Sequence, residues 1–435
     1  MNIRIYNARI VTMAEDGKVI DGEIWIKGKR ILYIGDGSDI DRIFCGEKDR
    51  VILWDREIDA GRNLIMPGFK NGHTHSGMTF LRSYADDLPL QEWLNQKIFP
   101  MEAKLTADDI CLLTKLAILE YLTSGITSFF DMYLTPLSIA RAAEETGMRC
   151  VQVGAVNDFS QSVELVDEMY QKLNQPDSLN SYRLGFHAEY TCSEELLKEV
   201  SALAHKYKAP VYTHNSETRR EVDECIARTG KTPTEYLDSL GMFDYGGGGY
   251  HCVYLSDSDI EIFRKRGMDV ILNPASNLKL ASGIAPVERY VKEGLNVAIG
   301  TDGPASNNCL DMFREMFLVT GLAKFKENDA SAMDADKVLF MATVGGARAM
   351  GLKDCDVLAE GKYADLIMID LNQPNMQPIH NLTKNLVYSG SKQNVKMTMV
   401  DGRILYEDGT FHIGETPEVI YKEADKIVQR MKESS

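Results

Sequence analysis

The strongest constraint on the fold is a repeated alternation. From about residue 64 to 350, short β-rich runs and amphipathic helical stretches follow one another. The runs are "LIMPGFKNGHTH", "ITSFFDM", "RCVQVGAV", "YRLGFHA", "PVYTHN", "GYHCV", "MDVILNP" and "LNVAIGTD". Among the stretches between them, "TADDICLLTKLAILEYLTSG" offers Thr106 as an N-cap, acids in its first turn and Gly125 past its end. "SEELLKEVSALAHKYK" repeats that plan from Ser193. Eight strands alternating with helices predict an α/β chain built on a (β/α)8 TIM-type barrel. A doubly wound open sheet is the competing architecture, but no G-x-G-x-x-G follows the early runs.

The two ends read differently from the middle. Residues 1–63 carry alternating runs, "IRIYNARIV", "GEIWIKGKRILYIG" and "RVILWD", and the style returns after about 357 in "ADLIMIDL", "NLVYSG" and "VKMTMVDGRILYEDG". Asp-Gly between two apolar runs in "MVDGRIL" is a hairpin signal. These ends predict a small β-sandwich assembled from 1–63 and 357–435, with a final amphipathic helix "PEVIYKEADKIVQRMKE", around a barrel over 64–356.

Polar residues that are unusual in strands sit at the C-terminal ends of the barrel runs. The first run ends in His73 and His75, the fourth in His187, the fifth in His214, the sixth in His251 and the eighth in Asp302. Residues i and i+2 of a strand share a face, so His73 and His75 can aim two imidazoles at one point. In a barrel these ends form one rim, where the active site lies. Imidazoles joined by a carboxylate suit a borderline divalent ion, zinc first and iron or manganese as alternatives. His73, His75, His214 and Asp302 are the ligand set this pattern predicts, with solvent in the remaining position.

The stretches "PGFKNGHTH", "THNSE", "HCVYL", "NPASNLKLASGIAPV" and "GTDGPASNN" resemble the amidohydrolase superfamily, through most of the chain. Within it, "LQEWLNQKIFPMEAKLT", "HAEYTCSEELL", "GGARAMGL" and "GKYADLIMIDL" look closest to the methylthioadenosine/S-adenosylhomocysteine deaminases. The resemblance implies hydrolytic deamination of a 6-aminopurine nucleoside. It implies that Glu217 in "HNSE" shuttles a proton to the purine ring nitrogen, that Asp302 takes the proton of the attacking water, and that His251 stabilises the developing charge. It implies further that His187 binds substrate near sugar and base, and that Glu102 accepts the ribose hydroxyls. Trp93 is open between covering the base and packing a loop. Asn277 and Ser306, in matching loops, are expected to orient their neighbours.

The chain also departs from those relatives. Some of them recognise a homocysteine carboxylate with arginines after the third strand, but "VQVGAVNDFSQSVELVDE" contains none. Glu189 replaces the proline usual after "HA", which adds an acid near the expected pocket; Arg82 is a candidate to compensate. Both observations tilt the reading toward methylthioadenosine or adenosine and away from S-adenosylhomocysteine. The nearest rival keeps the fold and changes the ring, to guanine, pterin, cytosine or a triazine. A non-catalytic nucleoside binder has no use for a proton shuttle, and a purely structural assembly gains nothing from the rim residues.

A net charge of −16 argues against a nucleic-acid or anionic-membrane partner. The start "MNIRIYNARIVTMAEDGKVI" lacks the plan of a signal peptide, and no apolar run approaches the roughly 20 residues of a bilayer span. Eight scattered cysteines without a C-x-x-C pair read as reduced, mostly buried thiols, hence a cytoplasmic protein. A homo-oligomer is compatible with the sequence.

Overall fold

In the computed structural model, which describes residues 1–14, 19–38, 52–88 and 90–433, the strands fall into two sheets. The barrel sheet runs in chain order from β6 (Phe69–Thr74) through β7 (Ile126–Asp131), β8 (Arg149–Val153), β9 (Asn180–Ala188), β10 (Val211–Asn215), β11 (Gly247–His251) and β12 (Asp269–Leu272) to β13 (Asn296–Ile299). Every neighbouring pair is parallel. The first and last strands meet through the Asn71 amide, which donates to Thr301 Oγ1 and accepts from Thr301 N, and through Asp302 N donating to His73 O at 2.9 Å. A Cβ at Gly300 would lie 2.5 Å from His73 N, so this seam requires glycine.

The helix predicted from Thr106 spans Ala107–Thr123, with a reciprocal Thr106–Asp109 capping box, and Gly125 turns the chain at φ 74° into β7. The helix after Ser193 (Glu194–Tyr207) starts differently. Ser193 makes no side-chain cap bond, and its hydroxyl donates to Asp158 at 2.9 Å instead. The last helix, Pro417–Glu433, buries Ile420, Ala424, Ile427 and Met431. That stripe packs on the Ala107–Thr123 helix, where Arg430 pairs with Asp109.

The second sheet comprises β1 (Asn2–Val11), β2 (Val19–Lys27), β3 (Arg30–Gly35), β4 (Arg56–Asp59), β5 (Leu64–Pro67), β14 (Leu366–Ile369), β15 (Val395–Val400), β16 (Arg403–Glu407) and β17 (Thr410–Phe411). Its order is β17-β16-β15-β14-β5-β1-β2-β3, with β4 beside β1, so antiparallel β5–β14 pairing joins the two ends of the chain. Ile31 on β3 and Met397 on β15 share one buried cluster. Five strand steps in a flat sheet would separate them by about 24 Å. The sheet therefore folds over on itself, and the turn after β2 touches the chain entering β14 (Ala364 N to Lys29 O, 2.9 Å).

Three expectations need correcting. The run "LIMPGFKNGHTH" is two strands: Leu64–Pro67 belongs to the terminal sheet, and only Phe69–Thr74 enters the barrel, so the boundary at 63/64 cuts before a strand of the smaller sheet. The run "RVILWD" is not a strand over its described part, 52–55; the strand begins at Arg56, and residues 50 and 51 lie outside the described residues. "NLVYSG" lies in and just after a helix, Leu382–Tyr388, capped by Asn381 accepting from Lys384 N. Alternation over four residues was too short to exclude that helix.

A buried ion pair lies at the seam of the two sheets. Arg149, at the start of β8, makes a two-pronged contact with Asp365 (2.7 and 3.1 Å) and reaches Asp401 at 3.4 Å. Asp401 and Gly402 both have positive φ, as the Asp-Gly hairpin requires. Among the described residues the cysteines are free, five of them buried; Cys45 lies outside those residues.

Candidate metal centre and substrate cavity

Five strands of the barrel deliver a polar residue at or just past their C-terminal ends, and some of those exits are strained. His251 (φ 69°), Asp302 (φ 59°) and Ser216 (φ 51°) all occupy the left-handed region, where non-glycine residues are uncommon. The result is a packed imidazole cluster. The His73 ring centroid lies 4.8 Å from His75, 4.9 Å from His214 and 5.9 Å from His251, and the ring stacks on Tyr250 at 3.8 Å.

Ligand atoms of His73, His75 and His214 lie within 4.8 Å of one another, as do those of His73, His251 and Asp302. Asp302 Oδ1 is 3.2 Å from His75 Nε2 and 3.7 Å from His73 Nε2. Hydrogen bonds behind these groups fix how they face. His214 Nδ1 meets His187 O at 2.7 Å, and His75 Nδ1 meets Met132 O. A carbonyl only accepts, so both Nδ1 atoms carry a proton and both Nε2 atoms turn to the cluster, that of His75 toward Asp302 Oδ1. Asp302 Oδ2 accepts from the Ser276 and Ser306 hydroxyls at 2.5 and 2.9 Å, and Gly303 N donates to Oδ1 at 2.7 Å. The two hydroxyls occupy the lone pairs of Oδ2 and leave Oδ1 to the histidines.

The electrostatics of the cluster favour a cation. Burial and the neighbouring imidazoles push His73 and His214 far below the usual histidine range, so both are neutral. Burial also acts to lower His75, but the Asp302 carboxylate and the Met132 carbonyl overcome it and raise the ring to about 9. Both ring nitrogens of His73 are buried without a hydrogen-bond partner. Such orphaned atoms are costly unless something occupies the space between them and their neighbours. Three imidazole nitrogens and one carboxylate oxygen would suit a divalent ion, which would have to displace the His75 proton.

Beside the cluster lies a cavity of about 550 Å³. His75, His214, Glu217, His251 and Asp302 form its floor, with Glu102, His187 and Trp93 in its walls. Of the residues predicted to bind metal, catalyse or hold substrate, all but His73, which is wholly buried, therefore border one space. Glu217 is buried; its Oε1 accepts from Ser282 Oγ at 3.2 Å, and its Oε2 lies 3.7 Å from His251 Nε2. Burial raises its pKa. Burial likewise raises Glu102 to about 7 and lowers His187 to about 4. Asn277 does orient a neighbour, its Oδ1 accepting from His251 Nδ1 at 2.7 Å, and Ser306 orients Asp302.

Two residues do not reach this space. Glu189 is buried against Arg228, on the side of a separate cavity, and so adds no acid to the pocket; its side chain leaves the strand end away from the cluster. Arg82 pairs with Glu120 at 2.6 Å and with Asn308 O. Among the described residues the cavity wall contains neither lysine nor arginine, and the segment after β8 contributes Ala155, Asn157, Phe159 and Ser160. Sequence reading missed Ser276 and Ser282. Both lie inside the quoted motif "NPASNLKLASGIAPV", which follows the seventh strand run, so position after a strand was the available signal.

The profile described as "Amidohydrolase family" matches residues 64–405. A 5-methylthioadenosine/S-adenosylhomocysteine deaminase from Thermoanaerobacter pseudethanolicus is 37% identical over 99% of this chain and 100% of its own length. A 5'-deoxyadenosine deaminase from Methanothermobacter thermautotrophicus is 42% identical over 92% of both chains. Among solved structures, an adenosine deaminase from Xanthomonas campestris with bound zinc superposes with a TM-score of 0.92 at 31% identity, over 99% of this chain and 98% of that one.

Proposed function

The chain belongs to the amidohydrolase family, and we propose on that premise that it is a metal-dependent hydrolase that deaminates 6-aminopurine nucleosides with an uncharged 5' end. The class comprises 5'-methylthioadenosine, 5'-deoxyadenosine and adenosine. The observation that carries the reading is the convergence of His75, His214 and Asp302, with the buried His73 behind them, at the floor of a cavity that also holds Glu217 and Glu102.

His73, His75, His214 and Asp302 would hold the ion, with zinc the first choice for this donor set. When bound, such an ion supplies Lewis acidity that brings the pKa of water from 15.7 to about 7. The remaining work falls to the chain. Ring nitrogen N1 of a 6-aminopurine carries a lone pair, so only a protonated carboxyl can donate to it; the buried, upward-shifted Glu217 is suited to hold that proton. Transfer from Glu217 to N1 makes the amine-bearing carbon electrophilic. Water adds there, and Asp302 Oδ1, which faces the cluster, takes the proton the water sheds. His251, anchored through Nδ1 by Asn277, faces the added oxygen and stabilises the charge it develops. Asp302 passes its proton to the amine, which leaves as ammonia, while the remaining hydroxyl proton of the added oxygen restores Glu217; N1 keeps its proton in the 6-oxo product.

The walls supply selectivity. A carboxylate at Glu102 accepts both protons of a vicinal diol. Aromatic and aliphatic side chains such as Trp93, Met78 and Phe159 favour an apolar 5' group. Without a guanidinium, a tail carboxylate loses a charge-assisted contact of about 1.5–3 kcal/mol, or roughly 10- to 150-fold. The test is kcat/KM by ammonia release for those three nucleosides, S-adenosylhomocysteine, guanine and cytosine, with metal content measured on the same sample. The three nucleosides should lead and S-adenosylhomocysteine trail by tenfold or more. Preference for guanine or cytosine, or no ammonia from any, overturns the reading. Among the described residues no helix is long and apolar enough to cross a membrane, and the free, mostly buried thiols support a cytoplasmic location.

A further inference from the structure

Glu217 stands on a turn that has an unusual support. The helix that follows, Arg219–Thr229, begins with a Thr218–Glu221 capping box, in which the Glu221 carboxylate accepts from Thr218 N at 3.4 Å. An ordinary box stops there. Here the same carboxylate reaches two residues further back: Oε1 accepts from Ser216 N at 2.8 Å and Oε2 from Glu217 N at 2.8 Å. Those are the shortest of its contacts, and they hold Ser216 in its left-handed conformation (φ 51°). Glu221 is 5% exposed, lies outside the cavity beside the metal cluster, and touches neither the imidazoles nor Asp302.

We propose that Glu221 is a positioning residue for the reaction, clamping the backbone of Ser216 and Glu217 so that the Glu217 carboxyl meets the ring nitrogen at proton-transfer distance. This assignment rests on the deaminase reading for its kinetic consequence and on the turn geometry alone for its structural one. Two like-charged carboxyls this close carry a cost: burial, and then the Glu217 charge, raise Glu221 to about 7. A cap alone does not need that arrangement, since Thr218 already satisfies Glu221 N at 3.1 Å.

Two variants separate clamp from cap. Glu221→Gln places an amide N–H against a backbone N–H and releases the turn; Thr218→Ala removes the cap and keeps the clamp. On the nucleoside that wild type turns over best, Glu221→Gln should lower kcat about 10- to 100-fold with KM and metal content within threefold, whereas Thr218→Ala should lower Tm and leave kcat within threefold. In a Glu217→Gln background, Glu221→Gln should cost nothing further, because it acts through Glu217. Amide exchange over residues 216–218 should rise in Glu221→Gln and not in Thr218→Ala, whether or not any nucleoside is turned over. Wild-type kcat in Glu221→Gln, equal kcat losses in the two variants, additive losses with Glu217→Gln, or unchanged exchange would overturn the clamp. Absence of ammonia from the wild-type protein would overturn the deaminase reading instead, and the exchange measurement would still decide the clamp.

Discussion

Replacing Glu217 by glutamine isolates proton transfer from everything else the cavity does. The amide keeps an oxygen for the Ser282 hydroxyl, now 3.2 Å from Oε1. It keeps the volume of the side chain and an N–H to offer N1. Exchanging one neutral hydrogen bond for another of similar geometry changes stability or binding by about 1 kcal/mol or less. The ligand atoms of His73, His75 and His214 lie together without Glu217, so the metal should stay. What the amide cannot do is give a proton up and take it back. Loss of a positioned acid–base group costs about 10²- to 10⁴-fold, which at 1.36 kcal/mol per decade is about 2.7–5.5 kcal/mol of barrier. Steady-state ammonia release should therefore show kcat down by at least about 100-fold, KM within a few-fold and unchanged metal stoichiometry. A kcat within threefold of wild type, or metal lost in step with activity, would refute the shuttle.

Two further outcomes follow from groups behind the site. Ser276→Ala leaves Asp302 Oδ2 with one hydroxyl instead of two, and metal affinity in chelator competition should fall about 10- to 100-fold. Glu315 is wholly buried, accepts from Ala275 N and the Asn307 amide, and is raised by burial to about 8 from 4.5. The folded state thus holds a proton that the unfolded chain has released between those values. Stability should fall as pH rises through that window, by up to about 4 kcal/mol. A Glu315→Gln variant should show a flatter Tm between pH 5.5 and 8.5, and equal slopes would place the proton elsewhere.

Much of this architecture was legible because its determinants are local. The β-rich runs of the barrel announce themselves by composition and by the Gly, Asp and Asn that end them, and His73, His214 and Asp302 stand at those ends. A histidine is conspicuous there because a barrel strand otherwise has little use for one. Glu221 was invisible for the opposite reason: a glutamate three residues after a threonine reads as a helix cap, and only the path of Ser216 turns it into a support for its neighbours. Glu189 misled because adjacency in sequence to His187 does not fix which side of the turn a side chain leaves by; Arg228, 39 residues later, decides that. Leu64–Pro67 read as barrel because a short apolar run looks the same in either sheet and runs straight on into Phe69–Thr74; its true partners lie at residues 9–10 and 366–369.

That last pairing bears on how the polypeptide acquires its shape during synthesis. Strand β5 must find β14 across about 300 residues. For a disordered connection of that length, closure costs about 5 kcal/mol of chain entropy. The cost largely vanishes once the intervening barrel has formed and brought its own first and last strands together. A formed barrel therefore sets the free edge of β5 beside β14, and the seam of the terminal sheet closes over a short distance.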